Sequence, residues 1–543
     1  MPASPAKKPR VLVELRPAFD GYAGIPQETR LLFRGLRSLH NLEVIGLLQM
    51  SGRILARGTA EGMDFLFANW WLSEARKINR YSRVVISAAE RPFQTILDRF
   101  LDFFARRLLT TKLTIGTILG FSKIKLSIFR TQHFEDFIWR SLFAKTLTAA
   151  DFDLVTQAEQ RVCAAPWDTM HKVGLSTLNV LKTPLFPKLN TRGIDVFVAQ
   201  TPYPGRLSSN TSLIVRYHDA IPVFMPHTIA GRSLHQATHF YALMSNVKRG
   251  AYFACVSEAT RQQLLKIFPQ AESRAVTIHN VVSHHYYLDE TSTTQRAAGI
   301  IRSRLYSHDP ELKAAANGLK LEPTFLTHRE REAFYGRNLD PQKLHYLLVV
   351  STVEPRKNHA RLLAAWEVLK ADVDPGLKLV VVGTLGWDYQ MLLKNFQSWI
   401  DRGEVFMLNS VPAPELRVLY RHATATVCPS LGEGFDFSGA EAMRCGGVVI
   451  ASDIAVHREI YDGAALYFDP YSTVSLVDGL KKLLYAAEAP ETQKSLRQLG
   501  QQVGLRYQPE RILPQWDELL ARVAADRFSL KNLAGFKSRP SPS

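Results

Sequence analysis

Apolar and polar positions follow two rhythms along this chain, and the change between them divides it. In the second half, short apolar runs recur at Tyr346–Val350, Leu379–Val382, Val405–Leu408, Ala425–Cys428, Val448–Ala451 and Ala465–Phe468. Each is too short for a helix and almost free of polar residues, so each predicts a strand buried on both faces. Stretches with apolar residues three and four apart predict helices between and after them: His359–Leu369, Tyr389–Ile400, Glu415–His422, Ala440–Arg444 and Ser475–Ala487. Strand–helix alternation of this kind predicts an α/β domain with a mostly parallel, doubly wound sheet.

The first half shows the same rhythm less cleanly. Strands are predicted at Val11–Leu15, Leu42–Leu48, Val196–Ala199, Leu213–Tyr217, Tyr252–Val256 and Val276–Ile278. Gly21-Tyr22-Ala23-Gly24 predicts a flexible turn before an amphipathic helix over Pro26–Leu36. Between about 51 and 190 the alternation stops, and large apolar residues interleave with Lys and Arg. The turn-rich stretch 289–343 predicts a linker or insertion between domains. The expected plan is a first domain over 1–288 with its insertion at 51–190, and a second over 344–510. A terminal helix over 511–530 and a Lys/Ser/Pro-rich, disordered tail over 531–543 complete it.

Composition sharpens this picture in two places. At 543 residues, 46% of them hydrophobic, the chain is too long for a single core. Its formal net charge of +17 predicts an anionic partner. Nearly half of that excess lies in 51–150, where 16 Lys and Arg face 8 Asp and Glu. Basic residues among large apolar ones suit a helix lying on an anionic membrane surface, or an insertion packed on its own domain with a wet basic face. No nucleic-acid reader motif accompanies them. Cys163, Cys255, Cys428 and Cys445 lie on or beside apolar runs without metal-ligand spacing, which predicts buried thiols in a reducing compartment. Met1–Arg10 lacks the apolar core of a signal peptide, and Leu113–Phe121 falls well short of the ~18 apolar residues of a spanning helix. The expected location is cytoplasmic.

The candidate chemistry lies where predicted strands end. After Ala425–Cys428 a Gly-rich loop contains Glu433, and the next helix carries Glu441. Two such acids could be solvated, or one could hold sugar hydroxyls and the other a ribose diol. After Tyr346–Val350, Arg356 and Lys357 precede a helix, which suits either a diphosphate site or a solvated turn. His218 ends the Leu213–Tyr217 strand, where a structural and a site role are both open. Asp151-Phe152-Asp153 reads as a helix start or loop.

Together these segments resemble glycosyltransferase family 4, whose members are retaining enzymes of the GT-B fold: two Rossmann-like domains facing across a cleft. The resemblance rests on E-P-R-K-N at 354–358, G-x-x-G-W at 383–387, L-Y-R-x-A at 419–423 and P-S-x-x-E-G-F at 429–435. It continues through E-A-M-x-C-G at 441–446, V-I-A-S-D at 449–453 and A-A-L-Y-F-D-P at 464–470. It is looser in the first half: G-I at 24–25, R-Y-H-D at 216–219, V-S-E at 256–258 and H-N-V-V at 279–282.

The resemblance implies transfer of a sugar from a nucleotide-sugar to a glycan or lipid-linked acceptor, in surface polysaccharide or lipopolysaccharide synthesis. The E-P-R-K-N motif leans toward a GDP-sugar and mannose. Arg356 and Lys357 would bind the donor diphosphate, Glu441 the ribose, and Glu433 would lie by the sugar. Backbone groups of Gly434, Phe435 and Asp436, with Gly383, would line the donor site. His218 would approach the transferred sugar, and Gly21 and Gly24 would form an acceptor or phosphate loop. No metal or other cofactor is implied, and the expected partners include an anionic membrane surface but no nucleic acid. The chain departs from the family pattern at Ser351-Thr352, where Gly-Arg is usual, and at Asp436, Phe437 and Ser438. A non-catalytic scaffold or sugar-nucleotide sensor on the same fold is the competing reading.

Overall fold

The computed structural model describes residues 8–22, 24–60, 70–90, 92–306 and 318–536. Its first sheet contains β1 (Arg10–Glu14), β2 (Glu43–Leu48), β3 (Lys123–Phe129), β4 (Gln160–Cys163) and β5 (Lys188–Asn190). β6 (Val196–Ala199), β7 (Ser212–Tyr217), β8 (Tyr252–Cys255) and β9 (Ala275–Thr277) complete it, in the order β5-β3-β4-β2-β1-β6-β7-β8-β9. β3 runs antiparallel to β4, and β5 parallel to β3; the remaining pairs are parallel. The 51–190 insertion is therefore not only helical, as its pattern suggests, because it lends three strands to the sheet. β3 alternates exposed Lys123 and Lys125 with buried Ile124, which periodicity tuned to fully buried strands passes over.

The second sheet comprises β10 (Tyr346–Val350), β11 (Lys378–Val382), β12 (Val405–Leu408), β13 (Ala425–Cys428), β14 (Val449–Ser452) and β15 (Ala465–Phe468). All its pairs are parallel, in the order β12-β11-β10-β13-β14-β15. Strand order reverses beside β10, between β11 and β13, and in the first sheet beside β1, between β2 and β6. Loops leaving a doubly wound sheet at such a switch diverge and leave a crevice. The two sheets turn these crevices toward each other.

Each sheet is buried on both faces: successive residues of β1 alternate between two clusters, Val11 and Val13 in one and Leu12 in the other. A further cluster crosses between domains, joining Val256 and Val282 to Phe435 and Met443. The closing helix Pro509–Phe536 returns to the first domain, where Ile512, Trp516, Leu519 and Val523 enter its core. It runs past residue 531, where the sequence pattern ends it; residues 537–543 lie outside the described residues. Two helices absent from the sequence reading, Ala455–Tyr461 and Ala489–Leu505, belong to the second domain, the later one packing on the helices Phe437–Arg444 and Thr473–Leu484.

Candidate active site

A cavity of about 500 Å³ lies between the domains. Every candidate residue, from Gly21, Gly24 and His218 to Arg356, Lys357, Gly383, Glu433–Asp436 and Glu441, lines it.

Its charged wall belongs to the second domain. A 3-10 turn, Pro355–Lys357, leaves β10, and Asn358, at φ 58°, starts the helix His359–Asp372. The Asn358 amide donates to the carbonyls of Pro429 and Pro470, tying that turn to the loop after β13. Arg356 Nη1 consequently donates to Glu433 Oε2 at 2.8 Å and to the Gly432 carbonyl at 2.6 Å, while Nη2 reaches Glu354 Oε1 at 2.7 Å. Lys357 Nζ donates to Glu433 Oε1 at 2.5 Å. Burial opposes ionisation of Glu433, but these two cations hold its carboxyl below the usual range. Burial likewise opposes the Arg356 charge, and Glu433, Glu354 and Asp219 outweigh it.

Asp436 sits at φ 61° and caps the helix Phe437–Arg444: its Oδ1 accepts from the Ser438 amide and hydroxyl, at 3.2 and 2.7 Å. Its Oδ2 lies 3.1 Å from His457 Nε2. Burial would raise its pKa, yet the His457 contact and the charge of Lys357 hold it well below the usual range. The departure from the family pattern at Asp436 and Ser438 thus forms a local cap.

Glu441 is the exception on this wall. It accepts from Tyr420 Oη at 3.0 Å and, across the cleft, from Gln27 Nε2 at 2.8 Å. No cation offsets its burial, and its pKa is pushed up to about 7.

The first domain supplies a less charged wall, to which Lys145 and Asp219 contribute, Asp219 within electrostatic reach of Arg356. Gly24, at φ 70°, starts the helix Ile25–Arg37, which places Gln27 one turn in. His218 follows β7; burial, aided by the nearby Arg216 charge, lowers its pKa to about 3, so it is neutral. Its Nε2 is buried without a hydrogen-bond partner. Gly434 lies so close to the His218 carbonyl that a Cβ would stand 1.8 Å from that oxygen, so only glycine lets the two loops meet. Behind His218, the fully buried Arg216 bonds to Glu28 Oε1 at 2.9 Å and to Asn280 Oδ1 at 2.6 Å. Gly383 contributes backbone, its carbonyl accepting from the Tyr306 hydroxyl.

The cleft is closed by contacts between domains. Both Glu459 oxygens accept amides from Glu258 and Ala259 at the start of the helix Glu258–Ile267, at 2.7 and 2.9 Å, and Trp387 Nε1 donates to the Thr228 carbonyl. Sequence reasoning missed Gln27, Tyr420, Glu354, Glu28 and His457 as members of this region. Tyr420 and Glu354 stand inside the motifs L-Y-R-x-A and E-P-R-K-N, whereas nothing local marks Gln27. Among the described residues, no group of three or more His, Cys, Asp or Glu is gathered as a metal ion would need. All four cysteines are free and buried.

The sequence model of a family described as "Glycosyl transferases group 1" matches residues 330–503. O-antigen chain mannosyltransferase B of Escherichia coli is 34% identical over 125 residues, 23% of this chain and 33% of the relative. O-antigen chain mannosyltransferase RfbU of Salmonella typhimurium is 32% identical over 143 residues, 26% of this chain and 39% of the relative. The matches thus span a third to two-fifths of these relatives' length. A solved structure, sucrose-phosphate synthase from Thermosynechococcus elongatus, shares the fold with a TM-score of 0.53 over 96% of this chain and 100% of that one, at 14% identity. Residues 330–503 therefore form a group 1 glycosyl transferase domain, and the chain as a whole has the GT-B fold.

Proposed function

We propose that this chain is a retaining glycosyltransferase of the E-P-R-K-N type in family 4. It would move a sugar from a nucleotide-sugar to a glycan or lipid-linked acceptor in surface polysaccharide synthesis. The observation that carries this reading is the meeting of Arg356 and Lys357 on Glu433 inside the cleft between the domains. The Escherichia coli and Salmonella typhimurium relatives are mannosyltransferases, which, with the E-P-R-K-N motif, favours GDP-mannose or a related donor.

In this mechanism the donor diphosphate takes up Arg356 and Lys357 as partners. As the glycosidic C–O bond breaks, negative charge grows on the leaving phosphate oxygen, and these fixed cations stabilise it where water is excluded. They supply the positive charge a metal would otherwise bring. The acceptor hydroxyl attacks from the same face and passes its proton to the leaving phosphate, which retains the anomeric configuration. Glu433 orients the cations and lies by the sugar. Neutral His218 offers its open Nε2 to a sugar hydroxyl, and Glu441 receives the ribose diol once Gln27 yields. Gly21 and Gly24 would border the acceptor.

The test is a panel of nucleotide-sugars assayed for transfer and for donor hydrolysis, with product anomers read by NMR. Turnover with one donor class and a retained anomer is expected. Binding without turnover of any donor would replace this reading with a sugar-nucleotide sensor.

A further inference from the structure

The insertion contains two long helices that meet the protein very differently. Trp70–Ala88 spends its apolar residues Tyr81, Val84 and Ala88 on the core beneath one sheet face. Ile96–Ile118 packs on the other face through Leu109 and Leu113. Opposite that packed side, apolar residues recur three or four positions apart at Leu97, Leu101, Phe104 and Leu108 and, beyond Thr111 and Lys112, again at Ile115 and Ile118. This second stripe is bare: Leu97 is 63% exposed, Phe104 52% and Leu108 73%. A water-facing helix side would be polar, and contiguous exposed apolar surface of this extent marks an interaction site.

Charge identifies the occupant. Arg107 and Lys112 flank the stripe, and Lys123 and Lys125 stand exposed just beyond it in β3. The two acids on the helix are already engaged, Asp98 in the N-terminal capping box and Asp102 with Arg106 at 2.7 Å. Apolar side chains with basic neighbours match the boundary between acyl chains and anionic headgroups. A protein partner would need no such bias. Among the described residues no helix is long and apolar enough to cross a membrane, so the fit is to lie on the surface.

We infer that the outer face of Ile96–Ile118 docks the protein on an anionic phospholipid bilayer. The inference builds on the proposed transfer to a surface-polysaccharide acceptor, and it assigns the contact to this helix. The experiment is flotation with vesicles of equal parts phosphatidylglycerol and phosphatidylcholine, against phosphatidylcholine alone. The wild type should float with the anionic vesicles and bind the neutral ones roughly tenfold or more weakly. The triple variant Leu97→Glu, Phe104→Glu, Leu108→Glu should stay unbound. Its melting temperature and its GDP-mannose thermal shift should match the wild type, since none of these side chains is buried. A triple variant that floats like the wild type, or a wild type that ignores anionic vesicles, would overturn the inference. So would a wild-type dimer that the triple variant converts to monomer, because a second copy would then cover this face. Donor hydrolysis is read separately: turnover without flotation fails only the docking, and flotation without turnover fails only the enzyme reading.

Discussion

The two walls of the cleft solve opposite problems. The second-domain wall carries Arg356, Lys357, Glu433 and Asp436, all inside one domain and already partnered there, Arg356 and Lys357 with Glu433 and Asp436 with His457. The first-domain wall presents Gly24, Gln27 and neutral His218 with the two charged residues Lys145 and Asp219, and the buried Arg216–Glu28 pair lies behind it. Charges concentrated on one rigid domain keep their geometry whether the cleft is open or shut. The opposing wall then has two charged lining residues to desolvate as it approaches, Lys145 and Asp219, at a cost of several kcal/mol per ion. The electrostatic machinery stays preorganised through closure.

The largest effect that would break this contrast is exposing the hidden charge. Arg216→Met leaves the Glu28 carboxyl buried without its cation, and should destabilise the fold by about 3–5 kcal/mol in urea titrations. Adding Glu28→Gln should recover part of that loss; an unchanged midpoint in the single variant would mean that the pair does not stabilise the fold behind this wall.

Next comes the charged wall itself. Lys357→Ala should lower kcat/KM for sugar transfer by about 10²–10³-fold, the scale of one fixed charge-stabilising group. It should also remove the donor-induced thermal shift. A full shift in this variant would place the diphosphate elsewhere.

Glu441, the one acid without a cation, sharpens the comparison through pH. Its folded pKa, about 7, lies above its ordinary 4.5. The folded state therefore binds the proton more tightly. The resulting stability is complete below pH 4.5 and is lost as pH rises through 7, on the order of 3 kcal/mol in all. Glu441→Gln should flatten the melting temperature across that window, whereas a slope identical to the wild type would assign it to another group.

The smallest effect tests the bridge between the walls. Gln27→Ala removes one hydrogen bond to Glu441, worth about 1 kcal/mol. If the ribose displaces Gln27, calorimetry should show donor binding tightened by up to about fivefold; weaker binding would make Gln27 a donor ligand instead.

The amino-acid order alone determined the strands of the second domain nearly residue by residue. Its six strands appear where the apolar runs stand, β11 and β14 differing by one residue, because a strand buried on both faces needs an uninterrupted apolar run. It also determined that Arg356, Lys357 and Glu433 sit just past strand ends, since each closely follows such a run, with Glu441 on the helix that comes next. Tertiary structure decided everything that joins distant segments. Gln27 meets Glu441 across 414 positions of chain, and Glu28 meets Arg216 across 188, with no local pattern to mark either pairing. The insertion's interleaved basic and apolar residues suited both of its helices. Only packing showed which apolar stripe was buried and which was left bare, because periodicity reports how residues are spaced around an axis and not which neighbour each side will find.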